Sequence, residues 1–201
     1  MNEMNICIFG DSITYGVNDL EMGGWVGRFR TYLENKNYDG VIYNQGVCGD
    51  NTEDLLLRFL VEAKAREPKI IIFAIGINDS QWLTREARNR VSLENFKQNL
   101  QQLINQAQTI VTDIGLIGLT PVNEEKTSPI PWNLNKSYKN KYIEKYNQAI
   151  KEIAKKNKLE FLDFFAELQK SNFALAFADG LHPDTNHHRA IFLKVKKFLK
   201  L

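Results

Sequence analysis

Asn5-Ile6-Cys7-Ile8-Phe9-Gly10-Asp11-Ser12 begins with an apolar run and ends abruptly in glycine, aspartate and serine. A short continuous apolar run bounded by turn residues is the pattern of a strand covered on both faces of a sheet. Working outward, comparable runs occupy residues 41–44, 69–75, 114–119 and 159–163, which with residues 5–9 makes five. Longer segments of helical period separate them. This alternation is the signature of a parallel sheet flanked by helices. The sequence therefore predicts a single α/β domain over residues 1–201, a three-layer α/β/α sandwich with about five parallel strands.

The intervening segments carry their own start and stop signals. Trp25, Phe29, Tyr32 and Leu33 share a helical face after the Gly23-Gly24 turn. Asn51 or Thr52 caps a helix bearing Leu55, Leu56, Phe59, Leu60 and Ala63, with Pro68 beyond its end. Ser92 caps another, carrying Phe96, Leu100, Leu103, Ile104 and Ala107; Tyr142, Tyr146, Ala149, Ile150 and Ile153 mark a fourth. A last helix starts near Asp184 or Thr185 and buries Ile191, Val195, Phe198 and Leu199. Residues 79–91 and 121–136 are left as loops long enough to be functional.

Composition excludes several classes. The chain is 43% hydrophobic and 25% charged with a net charge of +2, an ordinary globular balance that makes no electrostatic case for nucleic acid. Lys151, Lys155, Lys156, Lys158, Lys194, Lys196, Lys197 and Lys200 fall among helix-period apolar residues and read as solvated helix faces. No stretch approaches the roughly 18 apolar residues of a membrane span, and the first residues lack the basic, then apolar, order of a signal peptide. Two cysteines, Cys7 and Cys48, make no disulfide framework, so a reduced cytoplasmic setting is expected. Cys48 reads as a small buried thiol. His182, His187 and His188 lie close together, but no cysteine pair or His-Glu-x-x-His pattern accompanies them. No metal and no cofactor is expected, and His187 and His188 read as first-turn helix residues. The phosphate-loop ending Lys-Ser/Thr and the Gly-x-Ser-x-Gly elbow are both absent. Nothing in the sequence sets an oligomeric state.

Ligands of open parallel sheets bind beyond the carboxyl ends of the strands. Those ends carry Gly10-Asp11-Ser12-Ile13, then Asn44 to Gly49, then Gly76-Ile77-Asn78-Asp79; Asp179-Gly180-Leu181-His182-Pro183 precedes the last helix. The set suits acyl transfer. A serine hydroxyl needs a base, for which His182 serves, and the histidine needs a carboxylate such as Asp179. A tetrahedral intermediate needs donors, which the Ser12 and Gly49 N–H groups and the Asn78 amide can supply. Each residue also has a plainer reading: Ser12 as a turn or cap, Asp179 as a cap, Asn78 as a turn residue, Gly49 as a permissive backbone point. Asp11 and Asp79 read as turn-holding acceptors.

These four segments resemble the four blocks of the SGNH (GDSL-like) hydrolase family, in family order and across nearly the whole chain. The resemblance implies a flavodoxin-like SGNH hydrolase fold and a serine esterase. It assigns Ser12 as nucleophile, Asp179 and His182 as its partners, and Ser12, Gly49 and Asn78 to the oxyanion hole. One departure is His187, which stands where the family commonly has glycine and touches only the start of the last helix. The family spans lipases, thioesterases, lysophospholipases and sugar deacetylases, so the framework alone does not choose a substrate. A small soluble acyl ester such as an acetylated sugar is expected as the partner molecule. Thioester or lysophospholipid cleavage is the alternative on the same site, and a non-catalytic carbohydrate-binding domain is the rival of another class. Trp82, Arg85 and Trp132 are the expected substrate-binding walls, with Arg88, Pro129, Ile130 and Pro131 beside them. Trp25 reads as helix core.

Overall fold

A computed structural model describes residues 4–199. The first three residues, on which the leader reading rests, and Lys200 lie outside them. In chain order the elements begin β1 (Ile6–Gly10), α1 (Ser12–Tyr15), α2 (Gly24–Glu34), β2 (Ile42–Gly46), α3 (Thr52–Lys64) and β3 (Ile70–Ala74). Then come β4 (Trp82–Leu83), β5 (Arg88–Asn89), α4 (Leu93–Gln108), β6 (Asp113–Ile117), α5 (Glu124–Thr127) and β7 (Lys136–Ser137). The chain closes with α6 (Asn140–Asn157), β8 (Glu160–Leu162), α7 (Phe165–Lys170), a 3-10 turn (Phe173–Ala176) and α8 (Thr185–Leu199).

Five strands form one parallel sheet in the order β2-β1-β3-β6-β8. Because side chains alternate across a strand, Cys7, Phe9, Ile71 and Phe73 face one way, into a core closed by Leu55 and Phe59 of α3, Phe96 and Leu100 of α4, and Tyr146 and Ile150 of α6. Ile6, Ile8 and Ile72 face the other, against Trp25 and Phe29 of α2 and Ile191 and Val195 of α8. Two covered faces explain why the strands are nearly continuous in apolar character. Trp25 is buried core, as its helical spacing indicates. The helix caps follow the sequence: Asn51 forms a capping box with Asp54, and Ser92 accepts from the Asn95 N–H at 3.1 Å.

Two boundaries differ from the periodic reading. Strand β2 runs on through Gly46, whereas β6 stops at Ile117 instead of reaching Leu119. The Leu119 N–H leaves the ladder because the Asn147 side chain of α6 accepts it at 2.9 Å. The larger difference lies in the two loops. They pair with each other: Trp82 faces Asn89 on one side and Ser137 on the other, and Leu83 faces Arg88 and Lys136. This small antiparallel sheet, in the order β5-β4-β7, is built from two-residue strands too short to show any period.

With this order the chain departs to opposite sides of the sheet at β1 and β3, which opens a crevice beyond their carboxyl ends. Gly10-Asp11-Ser12 and Gly76-Ile77-Asn78 both emerge there.

Candidate active site

Ser12 is the first residue of α1, and its position is set by the packing around Gly10 and by side-chain bonds at both ends of α1. A Cβ on Gly10 would lie 2.1 Å from the Thr14 hydroxyl and 2.5 Å from the Ala74 carbonyl, so only glycine lets β1 turn so tightly beside β3. Asp11 caps the turn by accepting from the Ile13 N–H at 2.9 Å. The Asn44 amide donates to the Thr14 and Tyr15 carbonyls at 3.0 and 3.3 Å and so fastens the far end of α1 to β2.

The Ser12 hydroxyl lies 2.8 Å from His182 Nε2, and His182 Nδ1 lies 2.6 Å from Asp179 Oδ2. Asp179 Oδ1 accepts from the Leu181 and His182 N–H groups at 2.9 and 2.8 Å. Burial disfavours the Asp179 charge. The hydrogen bonds from the His182 ring and backbone and from Leu181 outweigh it, and the carboxyl is held well below the usual range. It therefore stays ionised and faces the imidazole nitrogen remote from serine, an arrangement that can fix the tautomer and stabilise an imidazolium.

Across the crevice, Asn78 donates to the Asp50 carbonyl at 2.8 Å and accepts from the Tyr138 hydroxyl at 2.6 Å. One of the two amide protons remains for another acceptor. Gly49 sits at φ +86°, a conformation strained for a side-chain-bearing residue, and Arg90 donates to its carbonyl at 2.9 Å. Neither the Ser12 N–H nor the Gly49 N–H donates to a protein acceptor among the described residues.

Burial pushes up the pKa of two aspartates beside these residues. Asp11 is raised to about 6, despite the Ile13 N–H and the nearby His182. Asp79 is raised to about 7, despite bonds from the Thr52 N–H and hydroxyl at the start of α3. Asp11 holds its turn, as its sequence context indicates, whereas the Asp79 carboxylate caps the start of α3 from 27 positions away instead of holding its own turn. His187 is paired to Asp184 at 2.6 Å, and the Asp184 carboxylate also accepts the His187 N–H, so α8 starts normally where the family commonly has glycine. His188 is buried; its Nδ1 accepts from Trp25 N–H at 3.3 Å and its Nε2 donates to the Val17 carbonyl at 3.0 Å. Burial lowers its pKa, keeping it neutral in that tautomer.

Ser12, Gly49, Asn78 and His182 line one open cleft of about 380 Å³. Of the three expected walls, Trp132 lines it together with Ile130, and Trp82 and Arg85 do not. Trp82 is stacked on Tyr142 of α6 with ring centroids 5.1 Å apart, and Arg85 is exposed beyond the small sheet, its backbone N–H bonded to Asn135. Arg88 likewise points away, donating to the Asn89 and Arg90 carbonyls. Cys48 is a second correction: it is exposed and lines the cleft, because the loop after β2 leaves the core before reaching it. Residues the sequence reading missed are Gln81, Arg90, Lys136 and Tyr138. No local pattern distinguishes them; pairing of the two loops brings them to the cleft.

An α/β/α sheet with a hydrogen-bonded Ser–His–Asp line at its switch point defines a site of the hydrolase class. The chain belongs to the GDSL-like lipase/acylhydrolase family, whose model matches residues 8–190. By that membership it is a carboxylic ester hydrolase in class. An uncharacterized lipoprotein of Bacillus subtilis, YqeF, is 36% identical over 109 residues, 52% of this chain but only 43% of that protein. Acetylxylan esterase of Geobacillus stearothermophilus is 26% identical over 155 residues, covering 73% of this chain and 66% of the esterase. The chain thus spans less than two thirds of the length of both. Among solved structures, a lipase/acylhydrolase from Enterococcus faecalis superposes with a TM-score of 0.80 at 20% identity, covering 98% of this chain and 95% of that one. At this identity the likeness concerns the fold.

Proposed function

We propose that the protein hydrolyses small soluble carboxylic esters, such as acetylated sugars, through an acyl-enzyme on Ser12. The observation that carries this reading is the unbroken line from the Ser12 hydroxyl through His182 to the ionised Asp179. His182 takes the hydroxyl proton as Ser12 attacks the acyl carbonyl. The oxyanion is received by the Ser12 and Gly49 N–H groups and the unused Asn78 amide proton. His182 then protonates the departing alcohol, and water repeats the sequence on the acyl-enzyme.

The cleft supports a small, polar substrate. Asn78, Gln81, Arg90, Asn133 and Lys136 contribute to its lining, and Trp132 offers an exposed ring of the kind that sugars stack on. A long acyl chain would require a continuous apolar channel instead. The relative named acetylxylan esterase is consistent with an acetyl ester of a sugar.

The test is direct. Ser12→Ala is expected to fold normally, lose turnover of 4-nitrophenyl acetate and lose the mass increment from a fluorophosphonate probe. Undiminished turnover or labelling in that variant would refute the mechanism.

A further inference from the structure

Apart from His182, charged side chains of opposite sign are unevenly placed around Ser12: the ionised Asp179 lies behind His182, and those lining the cleft are cationic. Arg90 and Lys136 line it, and among the described residues no aspartate or glutamate does. The two cations differ in how they are held. Arg90 is already engaged, with Nη1 on the Gly49 carbonyl at 2.9 Å and Nη2 on Asp54 at 3.0 Å. Lys136 has no such partner: no carboxylate, carbonyl or ring engages its ammonium among the described residues. Its backbone is nonetheless fixed, because its N–H donates to the Asn133 carbonyl and its carbonyl accepts from Ile130, both at 2.9 Å, and β7 pairs it with Leu83. This is a half-buried lysine on a hydrogen-bonded strand, its ammonium without a partner among the described residues.

Gln81 provides a second, independent sign of an absent ligand. It is only 3% exposed, it lines the same cleft, and its Oε1 has no hydrogen-bond partner among the described residues. A buried acceptor left unpaired costs free energy that a donor on a bound molecule would recover. Trp132, 60% exposed, lines the same cleft.

We infer that the alcohol part of the substrate is anionic. Its negative group pairs with the Lys136 ammonium, with Arg90 adding a more distant positive field. A hydroxyl of the same alcohol donates to Gln81 Oε1, and its apolar face lies against Trp132. The shared chemistry is a hydroxylated molecule with one fixed negative charge, whether carboxylate or phosphate. This inference rests on the reading that Ser12 cleaves an ester in this cleft.

Three substrates with one acetyl group at the same hydroxyl provide the test: a methyl glucoside, the corresponding glucuronide and the corresponding 6-phosphate. The acidic esters are expected to exceed the neutral one in kcat/KM by about five- to tenfold at low ionic strength, mainly through KM, because the charge contact is the same in ground and transition states. The advantage should shrink to about twofold or less near 1 M salt. Lys136→Gln should abolish the preference, and Lys136→Arg should retain most of it. Preference for carboxylate alone or phosphate alone identifies the anion. Equal kcat/KM for acidic and neutral esters, or a preference indifferent to both salt and Lys136→Gln, overturns the inference. Hydrolysis of 4-nitrophenyl acetate by the wild type separates that outcome from failure of the Ser12 reading, in which no ester is cleaved.

Discussion

Replacing Tyr138 by phenylalanine removes one oxygen atom from the wall behind Asn78 and leaves the ring in place. Tyr138 is 4% exposed, and its hydroxyl donates to Asn78 Oδ1 at 2.6 Å while the Asn78 amide nitrogen donates to the Asp50 carbonyl at 2.8 Å. The two bonds together specify which end of the amide points at the crevice. Without the hydroxyl, a buried carbonyl oxygen loses its donor, a cost of about 1–3 kcal/mol. For a chain of this size that lowers Tm by roughly 2–4 °C per kcal/mol. The bond to Asp50 remains and still biases the amide toward its working orientation. Loss of about 1 kcal/mol of that bias corresponds to roughly fivefold in rate, so kcat on 4-nitrophenyl acetate should fall about 3- to 10-fold with KM nearly unchanged. Asn78→Ala, which removes the donor outright, should cost about 10²- to 10³-fold. In the Asn78→Ala background, Tyr138→Phe should lower kcat no further, since the two residues act as one unit. An unchanged kcat in the single variant, or a full additional loss in the double variant, would refute the assignment of Tyr138 as a positioning residue.

Asp179→Asn should lower kcat by about 10³- to 10⁴-fold by releasing the His182 tautomer; a loss of less than tenfold would show that the carboxylate does not govern the histidine. Asp79 titrates at about 7 in the fold against 3.8 as its ordinary value. Its titration therefore leaves stability fullest below pH 4 and removes it as pH rises through 7. Urea midpoints of Asp79→Asn relative to wild type should accordingly move in the variant's favour between pH 4 and 7, and the opposite slope would contradict the burial argument. Arg85→Ala should leave kcat/KM for acetyl esters within about twofold of wild type, and Trp132→Ala should reduce it for sugar esters. A large loss at Arg85 would mean that it reaches the substrate.

Much of the fold is legible in the sequence. The apolar runs around Ile6–Gly10 and Ile70–Ala74 had to be buried on both faces, and Asn51 and Ser92 stood where helices begin. The chemistry-bearing segments were legible because they stand at strand ends and resemble the family's four blocks in order; in the fold, Gly10, Gly49 and the Asp179–His182 pair meet the local backbone and hydrogen-bond demands of their turns. Trp82 and Arg85 misled because a tryptophan and an arginine in a polar loop resemble pocket walls, and only the stacking on Tyr142 shows where the tryptophan goes.

The sequence by itself determined the parallel α/β/α architecture, because burial period, capping and tight turns are relations among residues a few positions apart. That Ser12 and His182, 170 positions apart, belong to one site was implied by the resemblance of the four segments to the family's blocks. Only the tertiary structure decided what surrounds them. Tyr138 reaches Asn78 across 60 positions, and β4 pairs with β7 to bring Gln81, Arg90 and Lys136 to one cleft while carrying Arg85 away. Those relations depend on the register of two-residue strands and on which side chains remain unpaired after the loops close, and no local pattern in the chain encodes either.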